Sequence, residues 1–319
     1  MIERPAHPRR YRRVVALILT ITALNPATAS ARTAPVAPPA PVTTPATPEQ
    51  RAAMLAAIDA AIAGGRLAAA RTMIGRALPT DPSPELQLRL AEFALASGDI
   101  AGAVAQFTEL VAEPTMAART QQGLGLARLR QGNLPAATAA IEAALAADAG
   151  QLRAWNARGV IADRQRDWTT AEKAYGAALA IDPRSVTALT NRGYSRSLRA
   201  LYAQAEVDLA AAAAIDPAST TTQTDLRFVR AMQGRYRDAF SGSTKETLAN
   251  DLNTVGFAAM ARGDTEAAET YFNRAMSLGT RFDRVAWANI EYLQSHRQTQ
   301  LDPDLVLGDN RTPGPTPRR

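Results

Sequence analysis

The strongest constraint on the fold is a recurrence of residue types every 34 positions. Gly125, Gly159 and Gly193 follow one another at this interval. Other residues keep the same spacing in consecutive copies: Trp155 and Leu189, Ala171 and Ala205, Tyr175 and Leu209, Ala178 and Ala212, and Pro183 and Pro217. Such a period predicts stacked helical hairpins, because small residues let antiparallel helices approach and large ones fill the space between hairpins.

Glycines at the expected turns set the register of these hairpins. Glycine suits the end of a first helix because it accepts positive φ without steric cost. The turns are Gly65-Arg66, Gly98-Asp99, Gly132-Asn133, Gly234-Arg235 and Gly263-Asp264. They place hairpins at 51–83, 84–117, 118–151, 152–185, 186–219, 220–248 and 249–281. A last helix, from Phe282 to about Ser295, is predicted to cover the apolar end of the stack.

The sequence therefore predicts an all-α array at residues 50–297. We expect a right-handed superhelix of six or seven antiparallel helix pairs, closed by the C-terminal capping helix. The hairpin at 220–248 is irregular, because the interval from Gly234 to Gly263 is shorter than the repeat period and Ser241-Gly242-Ser243-Thr244 interrupts its second helix. A loop or a shortened helix is expected there. Tolerated erosion and a loop that contacts a partner both explain it.

Both ends of the chain differ in character from the array. Residues 1–31 combine an arginine-rich stretch, an apolar run from Val14 to Leu24 and small residues, which is typical of an export signal peptide. We expect a periplasmic mature protein; the alternative is an uncleaved signal that anchors the chain in the inner membrane, facing the periplasm. Residues 32–49, which are rich in proline, predict a semi-rigid Pro/Ala-rich linker. Residues 298–319 are predicted to be a disordered tail.

Composition narrows the chemistry that the chain can perform. The sequence has no cysteine, which excludes disulfides, thiolate metal ligands and the acylated cysteine of a lipid anchor. Its two histidines, His7 and His296, offer no pair for a metal site or a catalytic triad. Most of the formal charge of +6 belongs to residues 1–31. The rest of the sequence is close to balanced and has no basic stripe of the kind that binding to nucleic acid requires. We expect no enzymatic activity, no cofactor, no metal, no nucleic-acid partner and no lipid anchor.

The repeating hairpin resembles the tetratricopeptide repeat (TPR), a superfamily whose arrays form α-solenoids. The resemblance implies that first helices line a concave groove, which holds a peptide or helix of a protein partner. Asparagines there would face solvent and bond to a bound backbone, while aromatic residues would supply contact area. A generic solvated inner face is the alternative. By register, the groove residues are Arg119, Gln122, Arg153, Asn156, Arg164, Asn191, Tyr194, Asn253 and Phe257.

A narrower resemblance covers residues 189–295. It rests on Asn191-Arg192-Gly193-Tyr194-Ser195, on Ile215-Asp216-Pro217, and on Leu252-Asn253-Thr254-Val255-Gly256-Phe257 with the following residues to Asp264. These segments resemble TadD-type TPR proteins of Flp (tight adherence) pilus assembly. The resemblance implies a non-catalytic scaffold in the pilus secretion machinery of the bacterial envelope. A general periplasmic adaptor for another export or cell-wall system, or an accessory subunit that positions an enzyme, remains an alternative.

Overall fold

The computed structural model describes residues 47–278 and 283–301, and within these ranges the chain is helical and contains no strand. The predicted all-α array of antiparallel helix pairs is confirmed. The α-helices, in chain order, are α1 Pro48–Ala63, α2 Leu67–Ala77, α3 Pro84–Ser97, α4 Ile100–Leu110, α5 Ala117–Arg130, α6 Leu134–Ala147, α7 Leu152–Gln165, α8 Trp168–Ile181, α9 Val186–Leu198, α10 Tyr202–Ile215, α11 Thr220–Met232, α12 Tyr236–Ala239, α13 Leu248–Arg262, α14 Thr265–Leu278 and α15 Arg284–Leu301. A single 3₁₀ turn, Pro114–Met116, precedes α5.

The described residues divide into two compact units. The N-terminal unit comprises residues 47–199 and 207–219. The C-terminal unit comprises residues 200–206, 220–278 and 283–301. Helices α1 to α9 therefore belong to the N-terminal unit and α11 to α15 to the C-terminal unit, while α10 contributes residues to both.

Turn chemistry explains where the second helices begin. Asp99, Asn133 and Asp167 each accept a hydrogen bond from the backbone N–H three residues later, at 2.9, 3.2 and 3.0 Å. Side-chain caps of this kind satisfy a donor that the first turn of a helix leaves unpaired. All predicted turn glycines have positive φ. Two further turns were missed in the sequence, because Arg166 and Ala200 adopt positive φ without being glycine.

Close helix packing explains the recurring glycine within each first helix. A Cβ added at Gly159 would lie 2.5 Å from Cε1 of Tyr175, and one at Gly125 would lie 2.7 Å from Cδ1 of Ile141. Real Cβ atoms do not approach other heavy atoms so closely. The predicted packing role of the glycine, opposite a large side chain of the second helix, is therefore confirmed.

The sixth hairpin inverts this packing. One repeat period after Gly193 the chain has Arg227, and one period after Leu209 it has Ser243, so the large residue now lies on the first helix. The second helix, α12, is a single turn and ends before Ser241. The guanidinium of Arg227 is buried, pairs with Asp251 at 2.9 Å and donates to Ser243 Oγ at 3.4 Å. A buried ion pair thus takes the place of the usual contact between glycine and a large apolar residue.

The ends of the helical region differ slightly from the prediction. Helix α1 begins at Pro48 with a Thr47 capping box, so the end of the predicted linker 32–49 is helical. Helix α15 extends to Leu301, inside the predicted tail 298–319, and Leu301 is also the last residue that the structure describes. The predicted signal peptide at 1–31, the rest of the linker and tail, and the predicted start of the capping helix at Phe282 lie outside the described residues. None of the helices in the described ranges combines the length and apolarity that crossing a bilayer requires.

Candidate protein-binding cleft

One cleft of about 580 Å³ lies in the N-terminal unit, a size typical of binding sites for ligands. Its lining comes mainly from four successive first helices, α1, α3, α5 and α7, and from the start of α9. Ile62, Ala63 and Leu152, which are not fully buried, supply apolar surface, whereas Gln151 and Thr187 supply hydrogen-bonding groups. The hairpin repeat therefore builds a continuous surface from residues that are far apart in the sequence.

Ion pairs neutralise part of the charge in this cleft. Arg119 pairs with Asp59 and with Glu92, both at 2.6 Å, and Arg89 adds a second pair to Asp59 at 2.8 Å. Burial by itself lowers the pKa of Arg119, but the bonds to Glu92 and Asp59 outweigh it and hold the pKa above its ordinary value. Arg119 is therefore fixed in the wall of the cleft by two carboxylates.

Arg153 has a different environment. It lines the same cleft and is exposed, yet it makes no hydrogen bond or ion pair with any residue of the described ranges. Although its side chain is exposed, the walls of the cleft remove part of its surrounding water, and this partial desolvation lowers the pKa of Arg153; Glu92 opposes the effect and Arg119 adds to it. An arginine stays protonated despite such a shift. Arg153 therefore contributes a positive charge that forms no ion pair with a carboxylate of the described residues, although Glu92 lies near enough to attract it.

The predicted groove arginines Arg119 and Arg153 thus line the cleft, but the third, Arg164, forms a hydrogen bond that joins two helices of the stack. Its Nη1 donates to the carbonyl of Leu129, at the end of the preceding first helix, at 3.1 Å. Arg130 donates likewise to the carbonyl of Leu95. A cation at a helix C-terminus satisfies an unpaired carbonyl and interacts favourably with the helix dipole. The signal that could have revealed this role is the recurrence of arginine one repeat period apart, at Arg130 and Arg164.

The predicted groove asparagines do not face solvent, so that expectation was wrong. Asn156 and Asn191 are 5% and 4% exposed, and Asn191 Nδ2 donates to Asn156 Oδ1 at 2.9 Å. In the C-terminal unit, Asn253 Nδ2 donates to Asp283 Oδ2 at 2.9 Å. An amide carries both a donor and an acceptor, so two amides on neighbouring first helices can satisfy each other.

The remaining predicted groove residues are also largely covered. Gln122 is buried and Tyr194 is half-buried. Phe257 is buried in the C-terminal unit, where its ring centroid lies 6.3 Å from that of Phe228. The cleft thus brings together Arg119, Gln122, Arg153 and Asn156, whereas Arg164, Asn191, Tyr194, Asn253 and Phe257 are not among its lining residues.

A charged network that the sequence did not reveal joins the fourth and fifth hairpins. The buried carboxylate of Asp208 accepts from Arg192 and Arg196, both at 2.7 Å. Arg196 and Arg199 also pair with Glu172, at 2.5 and 2.6 Å. These groups hold second helices α8 and α10 to the first helix α9. Across residues 47–278 and 283–301, no cluster of three His, Asp or Glu side chains is placed to hold a metal ion.

Comparison with known proteins identifies the repeat. A family model described as tetratricopeptide repeat matches residues 55–117 and 123–186. These two segments together span less than half of the chain, and they hold most of the residues that line the cleft but not Arg119, Gln122 or Thr187. These two segments are similar to tetratricopeptide repeats. The matched segments thus contain most of the first-helix residues that line the cleft.

Two solved structures that align with a TM-score of at least 0.50 share this fold. The APC/C hetero-tetramer Cut9–Hcn1 aligns with a TM-score of 0.58 and 13% identity, over 74% of this chain and 48% of that chain. PilW, described as a widely conserved type IV pilus biogenesis factor, aligns with a TM-score of 0.50 and 17% identity, over 75% of this chain and 97% of that chain. A TPR protein from Parabacteroides merdae has a TM-score of 0.48 and 16% identity, over 76% and 98% of the two chains. A search of curated protein sequences finds no match.

Proposed function

We propose that the chain is a non-catalytic scaffold and that the cleft lined by its first helices binds a segment of a protein partner. The observation that carries this proposal is the continuous lining of four successive first helices, which combines apolar residues with hydrogen-bonding groups. A bound peptide or helix offers matching apolar side chains and polar groups. TPR repeats in general bind protein partners, which supports the proposal.

We further propose that this scaffold works in the bacterial envelope, in the assembly or secretion machinery of a Flp-type pilus. The export-like segment at residues 1–31 supports a periplasmic location, and the resemblance of residues 189–295 to TadD-type proteins supports the pilus role. PilW adds only that a protein of similar fold takes part in pilus biogenesis, because its identity to this chain is 17%.

Site-specific photo-crosslinking in cells tests both parts. A photo-reactive amino acid replaces Thr187, which is exposed and lines the cleft, or Lys173, a matched control that is exposed on α8 outside the cleft. We expect a protein adduct from position 187 that is absent at position 173, and mass spectrometry identifies it. An adduct that forms equally at both positions contradicts the cleft as the binding site. An adduct specific to position 187 but unrelated to pili overturns only the pilus role.

A further inference from the structure

The cleft contains an excess of positive charge. Two carboxylates, Asp59 and Glu92, and three guanidiniums, Arg119, Arg130 and Arg153, line it. Both carboxylates pair with Arg119. Neither forms an ion pair with Arg153, and Arg130 donates to the carbonyl of Leu95, so the guanidinium of Arg153 is the one that remains available to a ligand among the described lining residues.

The surroundings of Arg153 select among ligand charges. Glu92 is a nearby negative charge that raises the pKa of Arg153, whereas Arg119 lowers it. Arg153 in turn lowers the pKa of Arg130, so two like charges lie near Arg153 and the one nearby carboxylate is already paired with Arg119. A positively charged ligand group would therefore meet like charges, and electrostatic repulsion of this kind suppresses wrong partners. A carboxylate would instead pair with the planar guanidinium, whose fork of donors matches two carboxylate oxygens.

Apolar residues beside this cation restrict the ligand further. Leu152 precedes Arg153 in α7, and Ile62 and Ala63, at the end of α1, line the same cleft; none of the three is fully buried. A free anion would leave this apolar surface exposed to water. A polypeptide with apolar side chains next to a carboxylate would cover it and remove it from water.

We propose that the partner segment held in the cleft is an acidic peptide, with a carboxylate that pairs with Arg153 and apolar residues that contact Ile62, Ala63 and Leu152. This inference rests on the proposed function and specifies the chemistry of its ligand. The carboxylate belongs either to an Asp or Glu side chain or to the C-terminus of the partner, since both present the same two oxygens.

A peptide selection tests the proposal and does not require an identified partner. The full chain is used to select binders from a display library of random short peptides, in parallel with three variants. Arg153→Gln removes the cation. Arg158→Gln is the matched control, because Arg158 lies on the same helix, pairs with Glu142 and does not line the cleft. Thr187→Trp blocks the cleft by bulk, and circular dichroism verifies that each variant keeps its helical content.

We expect the peptides selected by the wild-type chain and by Arg158→Gln to be enriched in Asp and Glu relative to the starting library. The enrichment should disappear with Arg153→Gln. The best peptide should bind the wild-type chain about tenfold or more tightly than it binds Arg153→Gln, as measured by fluorescence anisotropy at low salt, and the ratio should shrink as salt screens the pair. Synthetic versions with Asn or Gln for the acidic residues, or with an amidated C-terminus, identify the source of the carboxylate.

Two other outcomes overturn the inference in distinguishable ways. If binders are lost with Thr187→Trp but show no acidic enrichment, or bind Arg153→Gln as tightly, the carboxylate preference is refuted and the cleft remains a peptide site. If no selected peptide is sensitive to Thr187→Trp, the cleft is not a peptide site, and both this inference and the proposed function fail.

Discussion

The bond between Asn156 and Asn191 predicts a coupled loss of stability. Replacing either residue with alanine removes one side of a buried amide pair and leaves the other amide unpaired in a site that water barely reaches. An orphaned buried polar group costs about 1–3 kcal/mol, so each single variant should lose free energy of unfolding in this range. The double variant should lose less than the sum of the two, by about 0.5–1.5 kcal/mol, because it leaves no orphaned amide.

A double-mutant cycle in urea measures this coupling, with unfolding followed by circular dichroism. Asn253→Ala provides the matched control, because Asn253 lies in the C-terminal unit and bonds to Asp283 instead. Combined with Asn156→Ala, it should be additive within about 0.5 kcal/mol. Strict additivity of Asn156→Ala and Asn191→Ala would refute the bond. Unchanged stability in both single variants would instead support the prediction from sequence that these amides face solvent and bond only to a ligand.

Four further predictions concern Gly159, Asp208, Asp225 and the start of the mature chain. Gly159→Leu should lose about 1–3 kcal/mol or more by overpacking against Tyr175, whereas Gly176→Leu, with nothing within 4 Å of its Cβ position, should melt near the wild-type temperature. Asp208→Ala leaves Arg192 and Arg196 without this carboxylate and should lower the free energy of unfolding, measured in urea, by about 3 kcal/mol. Replacement of the exposed Glu142 with alanine should lower it by less than about 1 kcal/mol. Burial raises the pKa of Asp225 from 3.8 to about 7. Between these pH values the unfolded chain releases this proton and the folded chain keeps it, so the free energy of unfolding falls as the pH rises. Asp225→Asn should therefore exceed the wild-type stability at pH 8, by at most about 4 kcal/mol, and match it near pH 4, whereas the exposed Asp238→Asn should show no such gain. Mass spectrometry of the natural protein should find a mature start at Ser30 or Arg32; an intact Met1 in the membrane fraction would mean that the signal is an anchor.

The hairpins could be predicted because their packing requires particular residue sizes at fixed spacing. Gly159 can be only a very small residue opposite Tyr175, and this requirement is visible in the sequence as a repeated glycine. Turns were predictable where glycine supplies positive φ, as at Gly98 and Gly132. Arg166 adopts the same conformation, but most arginines do not, so its turn could not be recognised from residue type.

The candidate site was harder to predict because a repeat register gives the helix on which a residue lies, and not the bonds that its side chain makes. Asn156 and Arg153 both lie on α7 and both line the cleft, yet one is buried in an amide pair and the other is exposed. Their difference depends on Asn191, which lies on the next first helix and is a suitable partner for only one of them. Pairing of this kind follows from the three-dimensional contact between neighbouring hairpins.

The sixth hairpin illustrates a signal that was present in the sequence but was missed. The position that holds Gly193 in the fifth hairpin holds Arg227 in the sixth, and a long charged residue there is incompatible with a closely packed second helix. Helix α12 is accordingly one turn long, and Ser243 occupies the place of a large apolar residue. The shortening of α12 and the presence of Arg227 are thus one structural change, because the buried guanidinium occupies the space that a large apolar residue of the second helix would fill. The guanidinium also needs Asp251 as its counter-ion.

Some first-helix residues stabilise the stack of hairpins, whereas others face the cleft and are exposed, and this difference explains how the fold can bind a ligand without losing stability. Asn156, Gln122 and Arg119 contribute to the cleft, but their burial or their bonds also tie them to neighbouring hairpins, so changing them disturbs the stack. Arg153 and Thr187 line the same cleft while remaining exposed, and substitution of exposed residues usually changes stability little. Ligand preference can therefore change at these two positions while the packing of the repeats is preserved. For the same reason, exchange of Arg153 for a carboxylate, as in Arg153→Glu, should reverse the preferred ligand charge more readily than any change at the buried amides.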